Sequence, residues 1–239
     1  MFKLKIADVV FGVIPNYKAC KSFCEKFLYE GDKEPEFIIK IEKSDIEREQ
    51  NLAGEESFSQ PYLETLALNR LLAERFLRNY NAMLFHCSAI KYKNGAYLFT
   101  APSGTGKSTH VSYWKRLLGE KAVIINDDKP IIRKIDNKFY VYGSPWNGKH
   151  NLGENVRAEL KAVCTLTRAK ENYITEISAI ESVKTIMGQT LRPSETENVI
   201  KLINLVEGVA TCCPQYKLGC NLSPESAKVS FSAMTGENL

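Results

Sequence analysis

Polar and apolar positions alternate at the start of the stretch FKLKIADVVFGVI, residues 2–14. Phe2, Leu4 and Ile6 stand against Lys3 and Lys5, and this period of two predicts a strand. EFIIKIEK (36–43) predicts a second strand, and 17–29 suits a short helix between them. Ser44 followed by Glu47 marks a capping-box start for a short polar helix. The period then lengthens over 61–80, where Leu63, Leu66, Leu71, Leu72 and Phe76 form one apolar helical face. Nothing in these eighty residues groups side chains for catalysis, so the pattern predicts a small α+β lobe over 1–80, given to packing or recognition.

The texture changes at residue 82. AMLFHCSAI and AYLFTA read as strands joined by the turn Lys93-Asn94-Gly95, and a helix is predicted over 107–118. The apolar run AVII (122–125) follows. PIIRKI and KFYVYG then form a hairpin about Asp136-Asn137, and KAVCTLTR (161–168) reads as a buried strand. Caps announce three later helices: Ser178 with Glu181, Ser194 with Glu197, and Ser223 before Pro224. Together these elements predict an α/β domain over 81–239, a mixed sheet with flanking helices.

Composition narrows the class. At 239 residues, 44% hydrophobic and 25% charged, the chain is neither disordered nor fibrous. Its net charge of +4 comes from lysines scattered among acids, which argues against a nucleic-acid surface. The seven cysteines are odd in number and contain no C-x-x-C pair, so they are assigned to core packing in a reducing compartment. No segment approaches the roughly 18 apolar residues of a membrane span, and VVFGVI is too short for a signal segment. A cytoplasmic chain without membrane contact is the expectation.

The chemistry concentrates in APSGTGKSTH, residues 101–110. Between a strand and a helix, it fits the phosphate-loop pattern except for Ala101 in place of the first glycine. Gly104 and Gly106 let several backbone N–H groups converge into an anion nest at a helix N-terminus. Ser103, Gly104, Thr105, Gly106, Lys107, Ser108 and Thr109 are thus the candidate nucleotide-binding residues. Lys107 is placed to reach the β- and γ-phosphates, and Ser108 to hold Mg²⁺. An Asp-Asp pair alone usually marks a turn. Here Asp127 and Asp128 end an apolar run about 20 residues beyond the lysine, which suits one carboxylate for the metal and one for a hydroxyl proton. Metal binding is assigned to Asp128 and the base to Asp127.

Other candidates stay open. His86 in its strand suits packing as well as chemistry. Trp146 and Lys149 in GSPWNGKHN fit either a substrate-facing loop or a plain connection, and Arg192 fits either a phosphate contact or an exposed loop.

In this order, F85-H86-C87-S88-A89, S103-G-T-G-K-S108 and D127-D128 resemble the HPr kinase/phosphorylase family and its phosphoenolpyruvate carboxykinase-like fold. The resemblance is specific over 82–145 and loose beyond. It implies an ATP- and Mg²⁺-dependent kinase acting on a hydroxyl, with serine in a protein, in a peptide or free as the acceptor. It also implies that His86 lies near metal and phosphates, beside Lys107, Ser108, Asp127 and Asp128. Relatives of this fold often form rings, which admits a homo-oligomer. The N-terminal lobe and the segments GSPWNGKHN and LRPSETEN depart from the bacterial HPr kinases, so HPr itself is not implied as the target. Two alternatives remain: a carboxykinase-like or other small-metabolite kinase, and a nucleotide-binding regulatory module without catalysis. The chain has neither an LSGGQ-like segment nor an N-K-x-D motif, against a transporter ATPase or a GTPase.

Overall fold

Ala7 and Asp8 both take positive φ, 50° and 63°, and turn the first alternating stretch back on itself. What the alternation predicts as one strand is therefore a hairpin, β1 (Phe2–Ile6) antiparallel to β2 (Val9–Ile14), with β3 (Ile38–Lys40) parallel to β2. The computed structural model describes residues 1–148, 151–193 and 195–238; Lys149, and Ser194 with its predicted cap, lie outside them.

Three helices complete the N-terminal lobe: α1 (Lys18–Phe23), α2 (Lys43–Ala53) and α3 (Gln60–Tyr80). Helix α2 starts earlier than predicted, because Glu42 and Asp45 form the capping box instead of Ser44 and Glu47. The Glu42 amide donates to Asp45 Oδ2 at 3.0 Å. Helix α3 is one residue longer than its predicted span and ends on Asn81, a left-handed C-cap. Its buried stripe of Leu63, Leu68, Leu72 and Phe76 joins Leu4 and Phe11 of the small sheet to Ala82, Leu84 and Ile131 of the large one. The chain changes sheets near residue 80, but one apolar cluster runs through both.

The large sheet contains β4 (Ala82–Leu84), β5 (Cys87–Tyr92), β6 (Gly95–Thr100), β7 (Ala122–Asn126), β8 (Ile131–Ile135), β9 (Lys138–Tyr142) and β10 (Arg157–Arg168). To these it adds β11 (Tyr173–Glu176) and β12 (Gln215–Cys220), which the sequence pattern does not predict. Its order is β4-β8-β9-β10-β6-β5-β7, with β12 parallel to β10 and β11 antiparallel to β12. AMLFHCSAI is two strands, parted at Phe85 and His86. Along β6, alternate side chains enter separate layers. Ala96 and Leu98 meet Leu202, Val206 and Val209 of α6 (Thr196–Cys212), beside α5 (Ala179–Gly188). Tyr97 and Phe99 meet Val111 and Trp114 of α4 (Lys107–Leu118) and Phe231 of α7 (Pro224–Thr235). The result is a mixed sheet with helices on both faces, the α/β class predicted.

Strand direction is what positions the site. Strand β5 runs antiparallel to both β6 and β7. The ends of β6 and β7 and the start of β5 therefore share one edge, where Cys87 pairs with Thr100 and Ala89 with Asn126. Five cysteines are buried as predicted, whereas Cys212 is exposed and Cys213 half-buried. No helix among the described residues is long and apolar enough to cross a membrane.

Candidate active site

The loop between β6 and α4 has the backbone a phosphate nest requires. Gly104 and Gly106 have φ of 76° and 116°, in the region that favours glycine, and Gly106 is the N-cap of α4. A Cβ at Gly104 would meet nothing within 4 Å, so the loop is open at its crown. Lys107, in the first turn of α4, is 7% exposed and donates from Nζ to the Ala101 carbonyl at 2.9 Å. Burial lowers its pKa, against the attraction of Asp128 and Asp127 nearby. Arg168, at the end of β10, donates to the Gly104 carbonyl and ties the loop to the sheet.

Strand β7 ends in an Asx turn. Asn126 Oδ1 accepts from the amides of Asp128 and Lys129 at 2.8 and 2.7 Å, while its Nδ2 donates to the Ser144 carbonyl. The turn sends the two aspartates to different surroundings. Asp127 is buried, accepts from the Ser88 hydroxyl at 2.8 Å, and lines a depression of about 470 Å³ together with Ser108 and Thr109. Asp128 faces His86 instead, with Oδ1 3.4 Å from Nε2, and lines a second cleft of about 480 Å³. Asp127 is thus the carboxylate that shares a depression with Ser108, whereas the sequence reading gives the metal to Ser108 with Asp128.

His86 sits between β4 and β5, and a hydrogen bond fixes its ring. Nδ1 lies 2.7 Å from Gln189 Oε1, an acceptor, so Nδ1 carries the proton. Burial and the Lys107 charge lower its pKa, which keeps the ring neutral near pH 7. Nε2 therefore turns a lone pair towards a carboxylate oxygen. Two acceptors facing each other make a place for a donor, and a hydroxyl is such a donor.

Of the three residues proposed for acceptor contact, two lie among the described residues. Trp146 is buried, donates from its indole to the Thr65 carbonyl at 2.9 Å, and packs in the shared core against Phe23. It joins the lobe to the sheet and is corrected to a packing residue. Arg192 is exposed in the segment after α5, and Lys149 lies outside the described residues. Ser88 and Gln189 were not predicted. Ser88 left a signal, a hydroxyl beside the apolar Ala89 and Ile90 of β5, but Gln189 reaches His86 across 103 positions and left none.

No family model and no curated protein matches the chain. Among solved structures, it is similar to the Hpr(Ser) kinase/phosphatase from Coxiella burnetii, at 11% identity and a TM-score of 0.31, over 52% of this chain and 87% of that one.

Proposed function

We propose that the chain is an ATP- and Mg²⁺-dependent kinase that transfers the γ-phosphate to a serine hydroxyl. One observation carries this reading: the open glycine loop with Lys107, the Asp127 carboxylate and the His86–Asp128 pair all occupy one sheet edge. Backbone amides of residues 103–109 cradle the phosphates, and Lys107 exchanges its loop carbonyl for phosphate oxygens. Ser108 and Asp127 would hold Mg²⁺, since one hydroxyl and one carboxylate suit this ion when phosphate oxygens complete its shell. When bound, it offsets charge on the transferring group. The base falls to Asp128 with His86, the reverse of the order read from sequence. The serine oxygen bonds to the γ-phosphorus, the bond from that phosphorus to the bridging oxygen breaks, and the serine proton passes to the pair.

The test offers γ-labelled ATP with free serine, serine peptides and small hydroxy acids. Label is expected on a serine hydroxyl, and Lys107→Ala and Asp128→Asn should each abolish its transfer in a folded chain. Nucleotide binding with no transfer to any acceptor overturns the proposal in favour of a binding module. Transfer only to a small acid favours a metabolite kinase.

A further inference from the structure

The cleft beside His86 and Asp128 has an opposite wall that belongs to the N-terminal lobe. Its volume of about 480 Å³ lies within the range of roughly 300–1,000 Å³ typical of sites that bury drug-sized molecules. One free amino acid fills little of it. Arg70 stiffens the lobe side, with Nε donating to Glu49 Oε1 at 2.7 Å and Nη2 to Asp45 Oδ1 at 2.8 Å. These contacts engage its charge inside the lobe, so the wall does not select an anion.

Two features of the cleft point to a ligand. Asn69 lines it, is 7% exposed, and has a buried Nδ2 that makes no hydrogen bond. Buried donors without partners are rare and costly. The terminal torsion of asparagine is broad, so a modest rotation presents Nδ2 to a carbonyl in the cleft. The second feature is apolar. Leu52 and Leu191, 70% and 43% exposed, stand on the rims, and Leu66 and Leu84 lie between them. A carbonyl-seeking amide among leucines matches a peptide main chain with an apolar side chain.

We propose that this cleft binds the phosphate acceptor as a peptide segment. A main-chain carbonyl pairs with Asn69, an apolar residue beside the serine rests on the leucines, and the serine hydroxyl reaches His86 and Asp128. The reacting serine rests on the kinase reading above; the peptide cleft itself does not.

The experiment uses the full chain and short peptides with a central serine, flanked by leucine in one set and glutamate in the other. Binding is measured by calorimetry on versions with alanine in place of serine, and transfer is measured on the serine peptides. The leucine-flanked peptide should bind about tenfold or more tightly than the glutamate-flanked one. Asn69→Ala and Leu191→Asp should each weaken that binding about tenfold, and in the transfer assay raise the peptide KM by a similar factor with a smaller change in kcat. Equal binding of the two peptides, indifference to both substitutions, or free serine as the better acceptor overturns the proposal. Leu191 is exposed, so its variant decides the matter if Asn69→Ala does not fold. Should the alanine peptides behave as expected while ATP transfers no phosphate, the kinase reading fails and the cleft assignment stands.

Discussion

Ser88 reaches from β5 to the end of β7 and donates its hydroxyl to Asp127 Oδ1 at 2.8 Å. The serine is wholly buried, so the carboxylate is oriented by protein before any ligand arrives. If Asp127 holds Mg²⁺ as proposed, Ser88 orients a metal ligand, and removing such a partner typically costs 10–100-fold in metal affinity or activity. Ser88→Ala should therefore raise the Mg²⁺ concentration for half-maximal transfer by roughly tenfold or more, and lower stability by about 1–3 kcal/mol. A Mg²⁺ titration and a urea unfolding curve read both effects. Wild-type Mg²⁺ dependence in the variant would remove Asp127 from the metal site.

Lys107 presents a trade between stability and ligand binding. Its ammonium is buried, its pKa is lowered mainly by that burial, and its hydrogen bond of 2.9 Å goes to a loop carbonyl. Lys107→Met removes a desolvated charge, so the nucleotide-free chain should unfold at the same temperature as wild type or higher. MgATP at about 100 times its Kd should stabilise wild type by about 2.7 kcal/mol, and the variant should lose nearly all of that gain. Melting curves with and without nucleotide decide it. Retention of the full shift by Lys107→Met would deny the loop its role.

The elements with strong local patterns were legible in the sequence. The helix over Lys107–Leu118 begins and ends where predicted, and the Asp136-Asn137 turn shows positive φ at both residues, 47° and 65°, as a tight hairpin demands. The first hairpin was not legible, because Ala7 is no turn former and nothing local announces its positive φ. Strand direction was also hidden. Motif order places His86, Lys107 and the aspartates along the chain, but only the antiparallel placement of β5 between β6 and β7 brings them to one edge. Long-range polar partners such as Gln189 and the lobe residue Asn69 have no periodic signature.

Trp146 illustrates the opposite error, an aromatic in a turn-rich segment that reads as surface. Its ring is buried in the cluster that joins the two sheets, and its indole N–H is paired with Thr65. Trp146→Ala should cost about 3–5 kcal/mol, visible as a large drop in the urea midpoint. Trp146→Phe keeps most of the volume and loses the hydrogen bond, so it should cost less. A Trp146→Ala chain of wild-type stability with a raised acceptor KM would restore the sequence reading.

His110, one turn beyond Lys107 on α4, sets an acid limit on the packing beneath the glycine loop. Its ring lies between two buried serines of α7, Nδ1 at 3.2 Å from Ser226 Oγ and Nε2 at 2.9 Å from Ser230 Oγ. Trp114 also donates to Ser230 Oγ, at 2.8 Å, and no carboxylate contributes to the His110 shift. Burial pushes its pKa down to about 4 from an ordinary 6.5. The unfolded chain therefore takes up a proton near pH 6.5 that the folded chain refuses until about pH 4. Between those values the unfolded state binds more protons, so stability falls as pH falls, by a total on the order of 3 kcal/mol. Above pH 6.5 this residue contributes no slope. Urea midpoints from pH 4 to pH 8 should show the decline in wild type and a shallower one in His110→Phe. Parallel curves for the two chains would mean that the acid sensitivity lies elsewhere.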